Sequence, residues 1–279
     1  MICIYEICYN NVYYALISKK LISMKKKGIL LCGGVGTRFK PITYAVNKHL
    51  LPIYNKPMFF YSLSVLMLGG IKNIQIVSDS CTLDHIERLI SKIKINIKIS
   101  YQIQEKAKGI VDGILKSEKF INNSDFVLML GDNFFFGQSL SDQLKKIFKK
   151  KNCIVSIKSN KPSNFGVIQQ NNKGQIVRIV EKPKKFLSKN IATGLYVYEN
   201  NCLKICKNLK PSRRGELEIT DLNNILIKKK KLENIELGRG SVWLDAGSPN
   251  DLLKASQIVK LLEENNNFKI ADLEEISKY

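Results

Sequence analysis

Short apolar runs alternate with helical patterns along residues 27–130. Two segments between the runs, 57–70 and 82–93, repeat their apolar residues at helical spacing, and Pro57 stands at the first helical position of the earlier one. The runs themselves are typical of strands: "KGILLC" (27–32), "NIQIVS" (73–78), "INIKISY" (95–101) and "FVLML" (126–130). This alternation predicts an α/β fold with a Rossmann-like, doubly wound and mostly parallel sheet. Ligands of such sheets bind beyond the carboxyl ends of the strands.

The second half of the chain has shorter apolar runs, separated by turn-forming Asn, Lys and Gly. The runs at 165–169, 175–181 and 191–199 predict an antiparallel extension of the same sheet. A helical pattern over 218–230 and a strand within 242–247 follow, and helical spacing from about residue 249 predicts a C-terminal helical segment.

These patterns divide the chain into three parts. Residues 1–23 form an N-terminal extension of unknown role, either a mis-assigned start, because Met24 follows, or an appended segment. Residues 24–247 form the core, and residues 248–279 form the C-terminal helical segment.

Composition describes an ordinary globular protein. The chain has 279 residues, 44% hydrophobic and 25% charged, and no apolar run reaches the length of about 18 residues that a membrane span needs. The net charge of +21 suggests a nucleic-acid partner, but the 45 basic residues are mostly scattered Lys, which favours solvated surfaces over a binding groove. Seven cysteines without a CxxC pair and no secretory signal predict a reduced, cytoplasmic protein.

A glycine-rich segment, "LLCGGVGTRF" (30–39), follows the first predicted strand. A P-loop requires Lys and then Ser or Thr after its last glycine, and here Thr37 and Arg38 follow Gly36. A dinucleotide fingerprint that begins at Gly34 requires a third glycine where Phe39 stands. The loop is therefore either a tight turn or a different kind of phosphate cradle built from backbone N–H groups.

Two carboxylates follow apolar strands, Asp132 after 126–130 and Asp245 within "VWLD". Each alone suits a turn or a helix cap, but together with the glycine loop they predict a hard-oxygen site for Mg²⁺. The chain has two histidines, so a catalytic metal must rest on carboxylates. Four cations, which are either surface charges or groups that neutralise a polyphosphate, fit phosphoryl or nucleotidyl chemistry: Arg38, Lys48, Lys182 and Arg214.

Seven segments occur in the order and spacing of the sugar-phosphate nucleotidyltransferases, and most closely resemble the glucose-1-phosphate thymidylyltransferases. They are "GILLCGGVGTRFKPIT", "KHLLPIYNKPMFFYSLSVLMLGGI", "LGDNFFFG", "EKP", "TGLYVY", "LKPSRRGELEITDLN" and "GRGSVWLDAGS". The resemblance covers about Lys27 to beyond Ala255 and identifies residues 24–247 as a nucleotidyltransferase core. It implies a Mg²⁺-dependent reaction in which glucose 1-phosphate attacks the α-phosphorus of dTTP. The products are pyrophosphate and dTDP-glucose, the first intermediate toward dTDP-rhamnose and related deoxysugars.

The resemblance also implies roles for individual residues. Arg38, Lys48 and Lys182 are the catalytic cations, and Asp132 and Asp245 bind Mg²⁺. The nucleotide-binding residues are Gly33, Gly34, Gly36, Thr37, Gln104 and Gly109. The sugar-phosphate-binding residues are Gly166, Glu181, Gly194 and Arg214. Trp243 is expected to pack and fix the loop beside Asp245.

The chain departs from the family pattern around the base. The segment "QEKAKGIVDGI" (104–114) keeps the base-contacting Gln104 and Gly109, but has Val111 for the usual Ala and Asp112 for a neutral Gln. The added charge is expected to weaken nucleotide binding or broaden base choice. Three alternatives stay open: a UTP-using or dual dTTP/UTP enzyme, a catalytically impaired sugar-nucleotide-binding homologue and, least favoured, a metal-dependent glycosyltransferase.

The C-terminal region is the other departure from the family pattern, and it bears on oligomeric state. The family forms homo-oligomers through a C-terminal region, and this chain stops at Tyr279, short of that region's usual extent. A homo-oligomer is expected. Feedback regulation by the deoxysugar nucleotide is left open, because it depends in the family on the region that is shorter here.

Overall fold

The computed structural model describes residues 26–266 and 268–278. The predicted extension, 1–23, lies outside the described residues. The described strands are β1 (Lys27–Leu31), β2 (Pro52–Ile53), β3 (Lys56–Pro57), β4 (Asn73–Ser78), β5 (Lys98–Ile103), β6 (Phe126–Leu130), β7 (Asn133–Phe136), β8 (Cys153–Lys158), β9 (Gly166–Gln170), β10 (Ile176–Glu181), β11 (Asn190–Tyr198), β12 (Glu233–Glu236) and β13 (Val242–Asp245). The described α-helices are α1 (Met58–Leu68), α2 (Ser80–Ile90), α3 (Ile110–Lys116), α4 (Glu118–Ile121), α5 (Leu140–Ile147), α6 (Cys202–Cys206), α7 (Ile219–Lys228), α8 (Pro249–Asn265) and α9 (Leu273–Ile276).

The parallel half of the main sheet has β1 at its centre. Strands β4 and β6 flank β1 in parallel register, and β5 lies parallel to β4. Alternate residues of β1 face opposite layers of the core: Leu30 packs in one hydrophobic cluster, Ile29 and Leu31 in another. Burial on both faces explains why this strand is an uninterrupted apolar run. The predicted doubly wound sheet is confirmed.

The antiparallel extension is also confirmed, with β11 as its central strand. This strand pairs antiparallel with β6, β8 and β9, and β10 pairs antiparallel with β9. A register shift between Ala192 and Tyr196 bends β11 where it pairs with β8. Strand β12 pairs parallel with β8, a pairing that the sequence patterns did not predict.

Several boundaries differ from the prediction by a few residues, and two of these differences have a clear structural reason. Strand β5 begins at Lys98, later than expected, because Ile95 and Ile97 pack on the core from the irregular connection that precedes it. These two residues alternate with polar ones, as in a strand, although the segment that contains them is irregular. Helix α1 begins at Met58 rather than at Pro57, which instead pairs with Pro52 in the β2–β3 hairpin.

The predicted strand at 242–247 is β13, and it lies outside the main sheet. It pairs antiparallel with β7 in a two-stranded ribbon, with Asp245 opposite Asn133. Helix α8, which begins the predicted C-terminal helical segment, covers a third hydrophobic cluster that includes Phe134 of β7 together with Ala255 and Val259 of α8. The ribbon is therefore fixed between the main sheet and the C-terminal helix. None of the described helices is both long enough and apolar enough to cross a membrane.

The end of helix α1 provides a test of how tightly the core is packed. A Cβ atom at Gly69 would lie 2.0 Å from Cε2 of Phe148, a buried ring, while a Cβ at Gly238 would meet no atom within 4 Å. Overpacking of a core costs about 1–3 kcal/mol. We expect Gly69→Ala to lower the free energy of unfolding by that amount in urea denaturation, and Gly238→Ala to leave it within about 0.5 kcal/mol. Equal stability of the two variants would contradict the packing described here.

Candidate active site

The carboxyl ends of β1 and β6 meet at the predicted position. Gly131 follows β6, and its N–H donates to the Leu31 carbonyl of β1 at 2.8 Å. A Cβ at position 131 would lie 2.8 Å from that carbonyl oxygen and from Sγ of Cys32, so the approach requires glycine. This contact brings Asp132 beside the glycine loop that follows β1.

The glycine loop owes its shape to two positive φ angles. Gly34 has φ 118° and Gly36 has φ 59°, both in the region that favours glycine. The Thr43 hydroxyl donates to the Gly36 carbonyl at 2.9 Å and closes the loop. A 3₁₀ turn over Thr37–Phe39 follows, with Phe39 buried and Thr37 and Arg38 exposed.

Lys48 and Asp132 form a mostly buried ion pair, with side chains only 16% and 15% exposed. Burial alone would lower the pKa of Lys48, but the Asp132 carboxylate outweighs burial and raises it. Burial would likewise raise the pKa of Asp132, but the Lys48 ammonium and hydrogen bonds from Lys48 and Asn133 hold it well below its usual range. Both groups are therefore charged at neutral pH.

Asp245 is the second carboxylate of the site. It lies at the end of β13, and the Ala246 N–H beside it donates to the Asp132 carbonyl at 2.9 Å. Burial and the nearby charge of Asp132 raise the pKa of Asp245 to about 7, although Lys48 and Arg38 oppose the rise. The Arg38 guanidinium also donates to the Gly247 carbonyl at 3.3 Å. The site thus holds two adjacent carboxylates, and its two cations do not fully offset the combined effect of burial and of the Asp132 charge on Asp245.

Polar residues without a predicted role hold Lys48 in place. The Asn47 side chain accepts from the His49 N–H at 3.0 Å and donates to the Asp79 carboxylate at 3.2 Å. Asp79 in turn caps helix α2 by accepting from the Thr82 N–H at 2.9 Å. The 3₁₀ turn that carries Lys48 is thereby linked to the end of β4.

Asn133 connects three strands at the site. Its side-chain oxygen accepts from the Gly194 N–H of β11 at 2.9 Å and from the Trp243 indole N–H of β13 at 2.6 Å, and its NH₂ donates to Asp132 at 2.9 Å. The Trp243 ring packs edge-on against Phe165. Sequence reasoning did not assign a role to Asn133, although its position directly after a strand-end Asp was a usable signal.

A cavity of about 240 Å³ opens between these elements. Its lining includes six of the predicted site residues: Gly33, Gly34, Lys48, Gln104, Gly109 and Asp132. Gly109 has φ 102°, and a Cβ there would lie 2.5 Å from the Leu217 carbonyl oxygen, so the loop at 104–109 packs directly on the loop at 212–218. A larger cavity of about 630 Å³ lies by the C-terminal segment, but its lining includes none of the predicted site residues.

Three further predicted residues lie on the β9–β10 side, on or next to these strands, namely Gly166, Glu181 and Lys182, whereas Arg214 lies in the loop before α7. Gly166 and Glu181 are directly paired, and a Cβ at Gly166 would lie 3.3 Å from the Glu181 carboxylate. Lys182 follows with φ 43° and places its ammonium 3.9 Å from that carboxylate. Arg214 is ion-paired with Glu218 at 2.9 Å, and hydrogen bonds to Glu218 raise its pKa. Through Gly194 and Phe165, this side is connected to Asn133 and hence to Asp132.

Comparisons with known proteins agree with the motifs. Residues 27–261 match the family model for nucleotidyl transferases. A curated Neisseria meningitidis protein named glucose-1-phosphate thymidylyltransferase is 41% identical over 254 residues, which cover 90% of this chain and 88% of the relative. A Mycobacterium tuberculosis protein of the same name is 35% identical over 253 residues, with the same two coverages.

Solved structures give the same grouping. A Bacillus anthracis crystal structure assigned to a glucose-1-phosphate thymidylyltransferase with bound sucrose superposes with a TM-score of 0.76 at 33% identity, covering 88% of this chain and 99% of that one. A UDP-glucose pyrophosphorylase in complex with UDP-glucose superposes with a TM-score of 0.74 at 25% identity, covering 85% and 99%. The chain therefore belongs to the nucleotidyl transferase family, in the group that contains the glucose-1-phosphate thymidylyltransferases.

Proposed function

We propose that the protein transfers a thymidylyl group from dTTP to glucose 1-phosphate, releasing pyrophosphate and forming dTDP-glucose. The observation that supports this most strongly is the single cavity that joins the glycine loop, Gln104 and Gly109 to the buried Lys48–Asp132 pair. The names of the curated relatives supply the two substrates.

The residues suit a reaction whose nucleophile is already charged. A phosphate oxygen of glucose 1-phosphate needs no general base, so the protein's task is to align the two substrates and to neutralise their charge. In this proposal the triphosphate lies along Gly33, Gly34, Gly36 and Thr37, with Arg38 and Lys48 beside the departing pyrophosphate. The buried His49 suits this division of labour, because burial lowers its pKa to about 3 and keeps it neutral.

Asp132 and Asp245 are suited to hold Mg²⁺. The described residues include no group of three or more metal-ligating His, Cys, Asp or Glu side chains, and Mg²⁺ requires fewer because water and phosphates complete its shell. Burial and the nearby charge of Asp132 raise the pKa of Asp245, and a cation bound beside the two carboxylates would oppose that rise. When bound, Mg²⁺ would neutralise phosphate oxygens and hold the α-phosphorus for in-line attack.

The β9–β10 side is assigned to the sugar phosphate. In this proposal Gly166, Glu181 and Gly194 contact the hydroxyl groups, while Lys182 and Arg214 neutralise the phosphate. Gly166 leaves room beside the Glu181 carboxylate, whereas the space at Gly194 holds the Asn133 side chain, which a Cβ there would meet at 2.6 Å. Glu181 is a hydrogen-bond acceptor suited to sugar hydroxyls. A cytoplasmic location and a homo-oligomeric state stay predictions.

Nucleotide-dependent pyrophosphate release tests the proposed function. We expect turnover that requires both glucose 1-phosphate and Mg²⁺ and that is fastest with dTTP among dTTP, UTP, CTP, ATP and GTP. Asp132→Asn removes the charge that holds Lys48 and a metal ion, so we expect kcat/KM to fall at least about a hundredfold. Asp142→Asn, at an exposed position of α5, is the matched control and should keep full activity.

Two outcomes would contradict the proposal. Undiminished turnover in Asp132→Asn would remove the metal assignment, and higher kcat/KM for UTP than for dTTP would replace the substrate. Nucleotide binding without turnover by folded protein would instead identify a catalytically impaired homologue.

The raised pKa of Asp245 predicts that removing its charge increases the stability of the metal-free protein and abolishes its activity. Its pKa is raised from 3.8 to about 7 in the folded protein, so the folded state binds this proton more tightly than the unfolded state does. Without metal, stability therefore falls as the pH rises from about 4 to 7. In EDTA at pH 8, we expect Asp245→Asn to be more stable than the parent by on the order of 2–4 kcal/mol and to be catalytically inactive.

The measurement is urea denaturation of both proteins at pH 4.5 and pH 8, with and without Mg²⁺. At pH 4.5 the stability difference should nearly vanish, and Mg²⁺ at pH 8 should stabilise the parent but not the variant. If the variant were less stable than the parent at pH 8 in EDTA, the raised pKa of Asp245 in the folded protein would be contradicted.

A further inference from the structure

The side chain of Asp112 contacts the side chain of Gln104. Gln104 follows β5 and is 6% exposed, and its Nε2 donates to Oδ2 of Asp112 in helix α3 at 2.6 Å. A carboxylate can accept hydrogen bonds but cannot donate them. Asp112 therefore requires the NH₂ end of the Gln104 amide to face it, and the carbonyl end to face away.

The carbonyl end of Gln104 points toward the glycine loop and the cavity. A Cβ at Gly33 would lie 3.1 Å from Gln104 Oε1, and both residues line the cavity. Gly33 is absent from the glycines with positive φ, so its lack of a side chain serves to leave room beside this oxygen. In the described part of the chain, no group donates a hydrogen bond to Gln104 Oε1.

The surroundings of this oxygen suit a nucleobase. Phosphate groups require the charged part of the cavity at Lys48, whereas a flat, uncharged base requires apolar walls with few polar groups. Leu31, Ile110 and Leu130 supply apolar lining, and Gln104 supplies a neutral hydrogen-bonding group with an accepting oxygen.

An accepting oxygen discriminates between pyrimidines. Thymine and uracil carry a ring N3–H donor, whereas the ring N3 of cytosine has a lone pair that would oppose Oε1. A site that hydrogen-bonds one edge rejects an analogue that leaves its groups unpaired. If the amide turned over, its NH₂ end would face the cavity and favour cytosine instead.

We propose that Asp112 is a specificity-determining positioning residue, which holds the Gln104 amide in the one orientation that selects a pyrimidine with a ring N–H. The inference rests on the proposed function for the presence of a nucleotide in this cavity. The sequence led us to expect that the charge of Asp112 would weaken nucleotide binding or broaden base choice. In this proposal the Asp112 carboxylate instead contacts Gln104 and narrows the choice of base. A neutral amide at position 112 could either donate to or accept from Gln104 and would allow both orientations.

The test compares base selectivity in matched variants. Asp112→Asn keeps the shape and supplies a donor, so Gln104 can turn over; Asp112→Ala removes the acceptor and serves if the first variant does not fold. Glu105→Gln removes an exposed negative charge from the same loop and controls for charge alone. For each protein, kcat/KM is measured with dTTP, UTP and CTP, and Kd for each nucleotide is measured calorimetrically with Ca²⁺ in place of Mg²⁺.

We expect the dTTP-to-CTP ratio, and the UTP-to-CTP ratio with it, to fall at least fivefold in Asp112→Asn and to stay unchanged in Glu105→Gln. Equal ratios in the parent and Asp112→Asn, or an equal fall in Glu105→Gln, would overturn the inference and leave the proposed function intact. Absence of turnover in every protein would overturn the proposed function, and the Kd ratios would then decide the inference. Absence of binding by all three nucleotides would overturn both.

Discussion

The buried ion pair between Lys48 and Asp132 is the interaction on which the site depends. Neither charged side chain would be tolerated in this mostly buried position without the other, because an unpaired buried charge costs several kcal/mol. Each makes the other tolerable at the point where the parallel strands end. The pair does not balance all the charge nearby, since Asp245 adds a second carboxylate. The two adjacent carboxylates are the basis for proposing a metal ion here.

Residues without chemistry of their own position the charged groups. Gly131 permits the contact between the ends of β1 and β6, and Asn47 links the turn that carries Lys48 to the cap of α2. Asn133 uses both ends of one amide to join β11, β13 and Asp132. A buried polar network of this kind is rigid only when each member has its partners, and these members do. The geometry of the site is thus maintained by the ends of the strands and by the 3₁₀ turn that carries Lys48.

Much of the fold was predictable from the sequence, because strands buried on both faces leave an unbroken apolar run. β4 and β6 have the predicted bounds for that reason. The prediction for β5 was wrong at its start because Ile95 and Ile97 pack, partly buried, against the core from an irregular connection, and their periodicity is the same as that of a strand. Short β12 has too few apolar residues to produce a signal.

The sequence indicated the charged residues of the candidate site, but not the polar contacts that position its side chains. Strand ends and motif order singled out Asp132 and Lys48, but the ion pair between them was not predicted. The contacts of Asn133 join residues 61 and 110 positions apart, and such contacts have no periodicity in sequence. The same holds for Gln104 and Asp112, whose contact depends on how a loop enters α3.

The ribbon formed by β7 and β13 has a consequence for how the enzyme is made. Asp132 and Lys48 belong to the first half of the chain, whereas Asp245 is delivered by a strand that is synthesised more than a hundred residues later and is paired outside the main sheet. Because β13 pairs with β7 outside the main sheet, Asp245 reaches the Lys48–Asp132 ion pair from a separate sheet. Any local opening of the ribbon would separate the two carboxylates while leaving the sheet intact. Under the proposed function, activity therefore requires that β13 be docked, and a chain whose main sheet is folded but whose ribbon is open would be inactive.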